Sequence, residues 1–514
     1  MNYIRLKNIR SLKDTGKIEL APLTILLGKN SSGKSTFLRM FPLFKQSWNN
    51  KNVGALALYG DFVDFGDFDS IKSTDTKDDF IVIGFDIDIP QDYMPRYITS
   101  DFLKPRVATW QCEVKIKPLT KTDILCCTYI KLRHAGISIE MFLPPDASHP
   151  DIRINKRCYK ELLKHTHVYY NPLSICFPYF SDDPNYKKDN NKGFYFQYPR
   201  SFIEPLVKKL GIDIDQKFQE FYSLYHALVM APKTTLINIL SHGNAGELGN
   251  VLSKKLCSRN SDSCYTDIIF ALVPRLFDAL RHKLTYSWTD GIIYSKPLRA
   301  TAERYYRIQS FATKEIAPDG SNLISFISNM VGAAKSSFDK WTQDELGFSI
   351  KIHKEFGHRS IFLTEQGAEY NVTDMGFGFS QILPIIVQLW DISTKRKSHS
   401  PYEGNEFIYA VEQPELHLHP ALQAKTIKLF CEVLKIAQRN DIKLRIILET
   451  HSETIINYLG KLVAGKKIDH DDIKLLIFDK PIGSKVTTIK ESTYTDDGIL
   501  QNWPFGFFST EDEF

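Results

Sequence analysis

Leu23-Thr24-Ile25-Leu26-Leu27-Gly28-Lys29-Asn30-Ser31-Ser32-Gly33-Lys34-Ser35-Thr36 is the stretch that decides the fold. Residues Leu23 to Leu27 carry no charge and read as a strand covered on both faces. Gly28 to Ser35 fit GxxxxGK[ST], and Thr36 to Trp48 follow a helical pattern. Strand, glycine loop and helix is the context this motif requires. The loop glycines let backbone N–H groups wrap a phosphate, and the helix N-terminus adds positive potential. Lys34 is expected at the β- and γ-phosphates and Ser35 at Mg²⁺. Asn30, Ser31, Ser32, Gly33 and Thr36 complete the expected cradle.

An apolar strand ending in an acid should accompany such a loop. Phe407-Ile408-Tyr409-Ala410-Val411-Glu412 has that form and continues Gln413-Pro414-Glu415-Leu416-His417-Leu418-His419-Pro420. A carboxylate at the end of a parallel strand faces a phosphate-bound metal, so Glu412 is the expected acid of a Walker B element. His417 and His419 lack a third ligand at metal-site spacing, and a structural role is their default. A third element, Leu444-Arg445-Ile446-Ile447-Leu448-Glu449-Thr450-His451, is an apolar strand that delivers His451, the candidate γ-phosphate sensor. A fourth, Thr373-Asp374-Met375-Gly376-Phe377-Gly378-Phe379-Ser380-Gln381, precedes an apolar helix from Ile382 to Trp390. It offers Gly376, Gly378 and Ser380 at a second helix N-terminus.

Composition bounds what surrounds these motifs. The chain has 514 residues with 65 Lys+Arg and 60 Asp+Glu, hence a net charge of +5. That excludes a generally polybasic chain, and the Lys208-Lys209 and Lys254-Lys255 pairs read as solvated helix faces. With 34 Phe, 24 Tyr and 6 Trp a sizeable core can form, and wholesale disorder is excluded. The 8 cysteines include no CxxC pair. No window of about 18 uncharged apolar residues occurs, and Met1 to Leu6 lacks a signal-peptide core. A cytoplasmic, reducing location is expected, with no membrane contact.

The fold expected is α/β: a core, called the head below, split between the chain ends, with a β-lobe and a helical region inserted between its halves. Residues 1–79 would form the first half of the head, with Tyr3, Ile4, Leu6 and Ile9 on one strand. Residues 80–168 would form an antiparallel β-lobe, where strands from Phe80, Thr109, Ile124 and Ile137 are separated by turn residues. Residues 169–290 would be a loop, about Tyr169 to Lys192, and a helical insertion. Residues 291–514 would return to the head.

Together the four elements resemble the ABC-type ATPase head of the soluble RecF/SMC-like and OLD-like branch, over roughly residues 1–70 and 290–508. Val411 to Pro420, the tail Trp503-Pro504-Phe505-Gly506-Phe507-Phe508 and Tyr294-Ser295-Lys296-Pro297-Leu298-Arg299-Ala300 are similar to a bacterial subgroup found in anti-phage loci. The ATPases of Septu and retron-associated systems are the nearest in kind. The resemblance implies ATP and Mg²⁺ bound between two subunits, head to tail. Gly376, Gly378 and Ser380 of one chain would then cap the phosphate held by Lys34 of the other. It also implies a homodimer or higher oligomer and a separate nuclease subunit of the HNH type. In the retron case a reverse transcriptase with its DNA would be a further partner.

One departure matters. In the usual head a glutamate that positions the attacking water follows the metal acid. Here Gln413 follows Glu412, and glutamine can orient water but cannot accept its proton. Glu415 is then the candidate base, with Gln413 and His451 beside it, and slow hydrolysis is expected. OLD-type nucleases append a Toprim domain, but only about 60 residues follow His451. His134, His165, His167 and His242 lack a nuclease arrangement. The expected function is an ATP-binding regulatory subunit of a defence complex that holds a nuclease in check. The alternatives are an OLD-like nuclease and a RecF-like DNA repair ATPase that binds duplex ends.

Overall fold

The computed structural model describes residues 1–49, 54–90, 107–119, 124–143, 149–169, 177–182, 199–228, 230–242, 246–259, 261–307, 315–395, 405–504 and 507–508. Two large sheets organise the described residues. The first is a seven-stranded sheet in the order Ile292–Ser295, Glu406–Glu412, Lys443–Glu449, Leu23–Gly28, Ile473–Asp479, Thr488–Tyr494 and Leu500–Gln501. Its first five strands run parallel. The last two are antiparallel. Leu23–Gly28 is buried at every position.

Continuous burial follows from cover on both faces. Leu26, Ala410, Ile447 and Leu476 face one hydrophobic core, shared with the lobe and the inserted helices. Leu23, Ile25, Leu27, Val411, Ile446, Leu448 and Leu475 face a second core, shared with the helices Phe377–Thr394, Pro420–Arg439 and Glu453–Ala464. Every strand that delivers a site residue is therefore gripped from both sides.

The second sheet is the nine-stranded antiparallel lobe. Val107–Pro118 shows the alternation of a sheet with one solvated face. The lobe also takes strands from the stretch assigned to the head: Tyr3–Ile9 pairs with Ile81–Pro90, and Leu12–Asp14 and Ile18–Glu19 pair with Tyr3–Ile9. The chain thus builds the inner edge of the lobe before it enters the P-loop strand. Polar ties hold the two sheets together. Arg445 donates to Asn2 Oδ1 at 2.7 Å and to the Leu20 carbonyl at 3.1 Å.

Helix Lys34–Asn49 lies between head and lobe. Phe37 meets Phe478 of the core sheet at 5.7 Å. Phe44 stacks on Trp288 at 4.7 Å, and Trp288 also touches Trp48 and Phe85. Trp288 lies in the last turn of the 29-residue helix Ser261–Thr289, the spine of the helical insertion. Of the stretch Tyr169–Lys192 read as a loop, Tyr179–Ser181 is a strand paired with His167–Tyr169. The remainder lies largely outside the described residues. The sequence reading also passed over a four-stranded sheet, Tyr306–Arg307, Ser349–Glu355, His358–Glu365 and Ala368–Asn371, which leads into the Gly376 turn. Among the described residues no helix is long and apolar enough to cross a membrane.

Phe44→Ala should therefore loosen head from lobe. Removing a buried ring is expected to cost about 3–5 kcal/mol, while Phe356→Ala, at a fully exposed hairpin tip, should change stability by no more than about 0.5 kcal/mol. Denaturant unfolding of the two variants checks the difference.

Candidate functional site

The site forms at the C-terminal ends of the parallel strands, where open α/β sheets place their ligands. Leu23–Gly28 ends in the glycine loop, and helix Lys34–Asn49 begins within the motif. Lys29, Asn30 and Ser31 are exposed, whereas Ser32, Lys34 and Thr36 are buried. The Lys34 ammonium donates to the carbonyls of Gly28 at 2.9 Å and Lys29 at 2.8 Å. It closes the loop on itself, and burial lowers its pKa against the opposing charge of Glu449. Gly33 has φ +100°, and a Cβ there would meet Ser11 Oγ at 2.8 Å. Ser11 and Thr487 buttress the loop from behind: Thr487 Oγ1 lies 2.7 Å from the Ser32 carbonyl and 2.9 Å from Ser11 Oγ.

Glu412 ends its strand as expected, but its carboxylate is held. Arg39 binds both oxygens at 2.8 Å, and the Tyr294 hydroxyl donates to Oε1 at 2.7 Å. Glu412 is buried. The paired charge raises the Arg39 pKa, chiefly through the hydrogen bonds to Glu412. Ser35 Oγ makes its contact elsewhere, donating to Glu449 Oε1 at 2.8 Å. Glu449 ends the strand between those of Glu412 and the P-loop, and it pairs in register with Glu412. Burial first, and the Glu412 charge second, push the Glu449 carboxyl up to about 7.

The segment after Glu412 turns sharply. Gln413 has φ +43°, and its N–H donates to the Glu449 carbonyl at 2.8 Å. Glu415 Oε1 accepts from the His451 N–H at 2.7 Å. Burial raises the Glu415 carboxyl, and that hydrogen bond opposes the shift. The His451 imidazole is lowered, first by desolvation and then by the Lys34 charge. The structure therefore gathers Gln413, Glu415, His451, Lys34, Ser35 and Glu412 around the ends of three adjacent strands.

Gly376, Gly378 and Ser380 lie at the start of helix Phe377–Thr394. Gly378 packs on the His417 turn, where a Cβ would come within 2.9 Å of the His417 carbonyl. Phe377 meets the His417 ring at 4.8 Å, and His419 Nδ1 accepts from the Ala421 N–H to cap helix Pro420–Arg439. Both histidines thus have structural contacts. Gln381 joins this helix to the strand ends: it exchanges hydrogen bonds with the Arg299 backbone at 3.0 and 3.1 Å. Arg299 in turn donates to the Glu412 carbonyl at 2.9 Å. Burial lowers the Arg299 pKa to about 10.

A family profile described as AAA ATPase domain (AAA_15) matches residues 1–456. The chain belongs to this family. The expected fold, an ABC-type ATPase head with an antiparallel lobe, is the fold found. A search among curated proteins returns no match. Solved structures that resemble the chain include the Smc head domain of Pyrococcus furiosus bound to the C-terminal domain of ScpA, at 10% identity, with 96% of each chain covered and a TM-score of 0.32. The SMC head domain of Thermotoga maritima follows at 10% identity, covering 95% of this chain and 98% of that one, with a TM-score of 0.33. The recombination mediator RecF is similar at 9% identity over 95% and 97% of the two chains, with a TM-score of 0.28.

Several residues of this AAA ATPase site escaped the sequence reading. Arg39 lies one helical turn after Ser35, a spacing that places it on the same helix face. Glu449 was visible as a charged end to an apolar strand. Tyr294 and Arg299 stood in a stretch already singled out, but their partnership with Glu412 spans over 100 positions. Ser11 and Thr487 carried no signal.

Glu449 makes stability pH-dependent. Its pKa is raised from 4.5 to about 7, so the folded state holds a proton that the unfolded state releases. The contribution is full below about pH 4.5 and is lost as pH rises through about 7. In chelator, wild-type melting temperature should fall over that window more steeply than that of Glu449→Gln, as differential scanning fluorimetry across pH would show.

Proposed function

We propose that this AAA ATPase binds ATP with Mg²⁺ between two head-to-tail subunits, hydrolyses it slowly, and serves as the regulatory subunit of a bacterial anti-phage complex that restrains a separate HNH-type nuclease. The observation that carries the slow-turnover reading is the position after Glu412. Gln413 is there, and it cannot accept a proton. Glu415, the remaining candidate base, has one oxygen committed to the His451 N–H and the other buried.

The residues present fit a magnesium nucleotide. The loop and the helix N-terminus suit phosphates, and Ser35 with a carboxylate offers the hard oxygen ligands that Mg²⁺ takes. When bound, the ion would neutralise phosphate charge. The chain's own part would be to orient the γ-phosphate with Lys34 and His451, to place water with Gln413, and to take its proton at Glu415. Head-to-tail pairing is supported by exposure. Lys29, Asn30 and Ser31 on the loop and Phe377 on the Gly376 turn all face solvent, open to a second copy.

Lys34→Ala should abolish ATP binding, and Glu415→Ala should lower an already slow turnover by about 10²-fold. ATP hydrolysis at transporter-like speed that survives Glu415→Ala would overturn the slow-turnover reading. The defence role is tested by copurification with the product of the adjacent gene. An HNH nuclease that this chain inhibits with ATP and frees without it supports the role. Metal-dependent DNA cleavage by the isolated chain would favour an OLD-like nuclease instead. ATP-coupled, salt-dependent binding to duplex ends would favour a RecF-like repair ATPase.

A further inference from the structure

We infer that Glu449, and not Glu412, is the carboxylate that holds the divalent cation beside Ser35. The inference rests on the magnesium-nucleotide reading above and deepens it.

Sheet order comes first. Lys443–Glu449 lies directly beside the P-loop strand, and Glu406–Glu412 lies one strand further out. Neighbouring strands are about 4.8 Å apart. Glu449 therefore starts one strand spacing from the loop and Glu412 starts two, although the pair is in register.

Satisfaction of the two carboxylates separates them further. Glu412 has both oxygens engaged by Arg39, and Tyr294 adds a third bond. To reach a metal it would have to break a bidentate pair while remaining buried, which is expensive. Glu449 is only 2% exposed. One oxygen accepts from Ser35 Oγ, and the other, Oε2, is buried with no hydrogen-bond partner. A buried carboxylate oxygen left without a partner costs free energy unless something else satisfies it. A hard cation shared with the Ser35 oxygen would satisfy it, because Mg²⁺ and Mn²⁺ take oxygen ligands.

The backbone supports this assignment. The Glu449 carbonyl accepts from the Gln413 N–H, and Thr450 N–H donates to the Leu26 carbonyl at 3.3 Å. The strand end that carries the carboxylate is thereby fastened to both neighbours. Glu412 is then a positioning residue. It fixes Arg39, and with it the face of helix Lys34–Asn49 that presents Ser35.

The test uses the full-length chain with a fluorescent ATP analogue and Mn²⁺, followed by fluorescence and by electron paramagnetic resonance of bound Mn²⁺. In Glu449→Gln the Mn²⁺ concentration for half-maximal binding should rise by at least the roughly 10–100-fold that loss of an outer-shell partner costs. Metal-free nucleotide affinity should hold or improve, because a negative charge near the phosphates is gone. Glu449→Asp keeps the charge but shortens the reach, and it should give a smaller rise. Glu412→Gln, which removes an outer-shell contact and not a ligand, should raise the Mn²⁺ requirement less than Glu449→Gln does. Its melting temperature should fall. A Mn²⁺ requirement that moves in Glu412→Gln and not in Glu449→Gln, or equally in both, overturns the assignment. A wild-type chain that binds no nucleotide with or without Mn²⁺ would instead overturn the nucleotide reading itself.

Discussion

The parallel pairing of Leu23–Gly28 between Lys443–Glu449 and Ile473–Asp479 is the constraint on which the site depends. It draws a strand from the first thirty residues into the middle of a sheet otherwise built from residues 292–501. Backbone hydrogen bonds in register set where each strand ends. The strand ends set where Gly28, Glu412, Glu449 and His451 emerge. Cover on both faces keeps those ends from shifting, since any slide would strip apolar side chains from one of two cores.

Charge is arranged around that frame by neighbours rather than by sequence adjacency. Two acids end adjacent strands, and only one has a cationic partner at hydrogen-bond distance. Arg39 and Tyr294 neutralise and saturate Glu412. Glu449 is left with Ser35 alone, and burial first, with the Glu412 charge second, raises its carboxyl to about 7. Arg299 and Gln381 then join the Glu412 strand to the helix that begins at Gly376. The end of the Glu412 strand is thereby tied to the first turns of the helix that follows Gly376.

The inserted regions are fastened to the same helix that carries the P-loop. Phe44 and Trp48 meet Trp288 from the long inserted helix, and Phe85 of the lobe reaches the same ring. The lobe is therefore no appendage: its inner strand, Tyr3–Ile9, precedes the P-loop strand in the chain. The sequence reading gave that strand to the head, because alternation shows that a strand exists but not which sheet receives it.

Motifs whose chemistry lies within a few consecutive residues were legible in the sequence. The glycine loop with Lys34 and Ser35, the strand ending at Glu412, the strand delivering His451 and the Gly376 turn all announce themselves by local pattern. Their local geometry follows from glycine freedom, apolar runs and helix N-termini. Tertiary structure alone decided the rest: which acid faces Ser35, which is bound by Arg39, and that Thr487 supports the loop from 455 positions away. The physical reason is that a carboxylate's role depends on its partners and its burial. Those are set by which strands lie side by side, and strand order is not written in any single stretch of the chain.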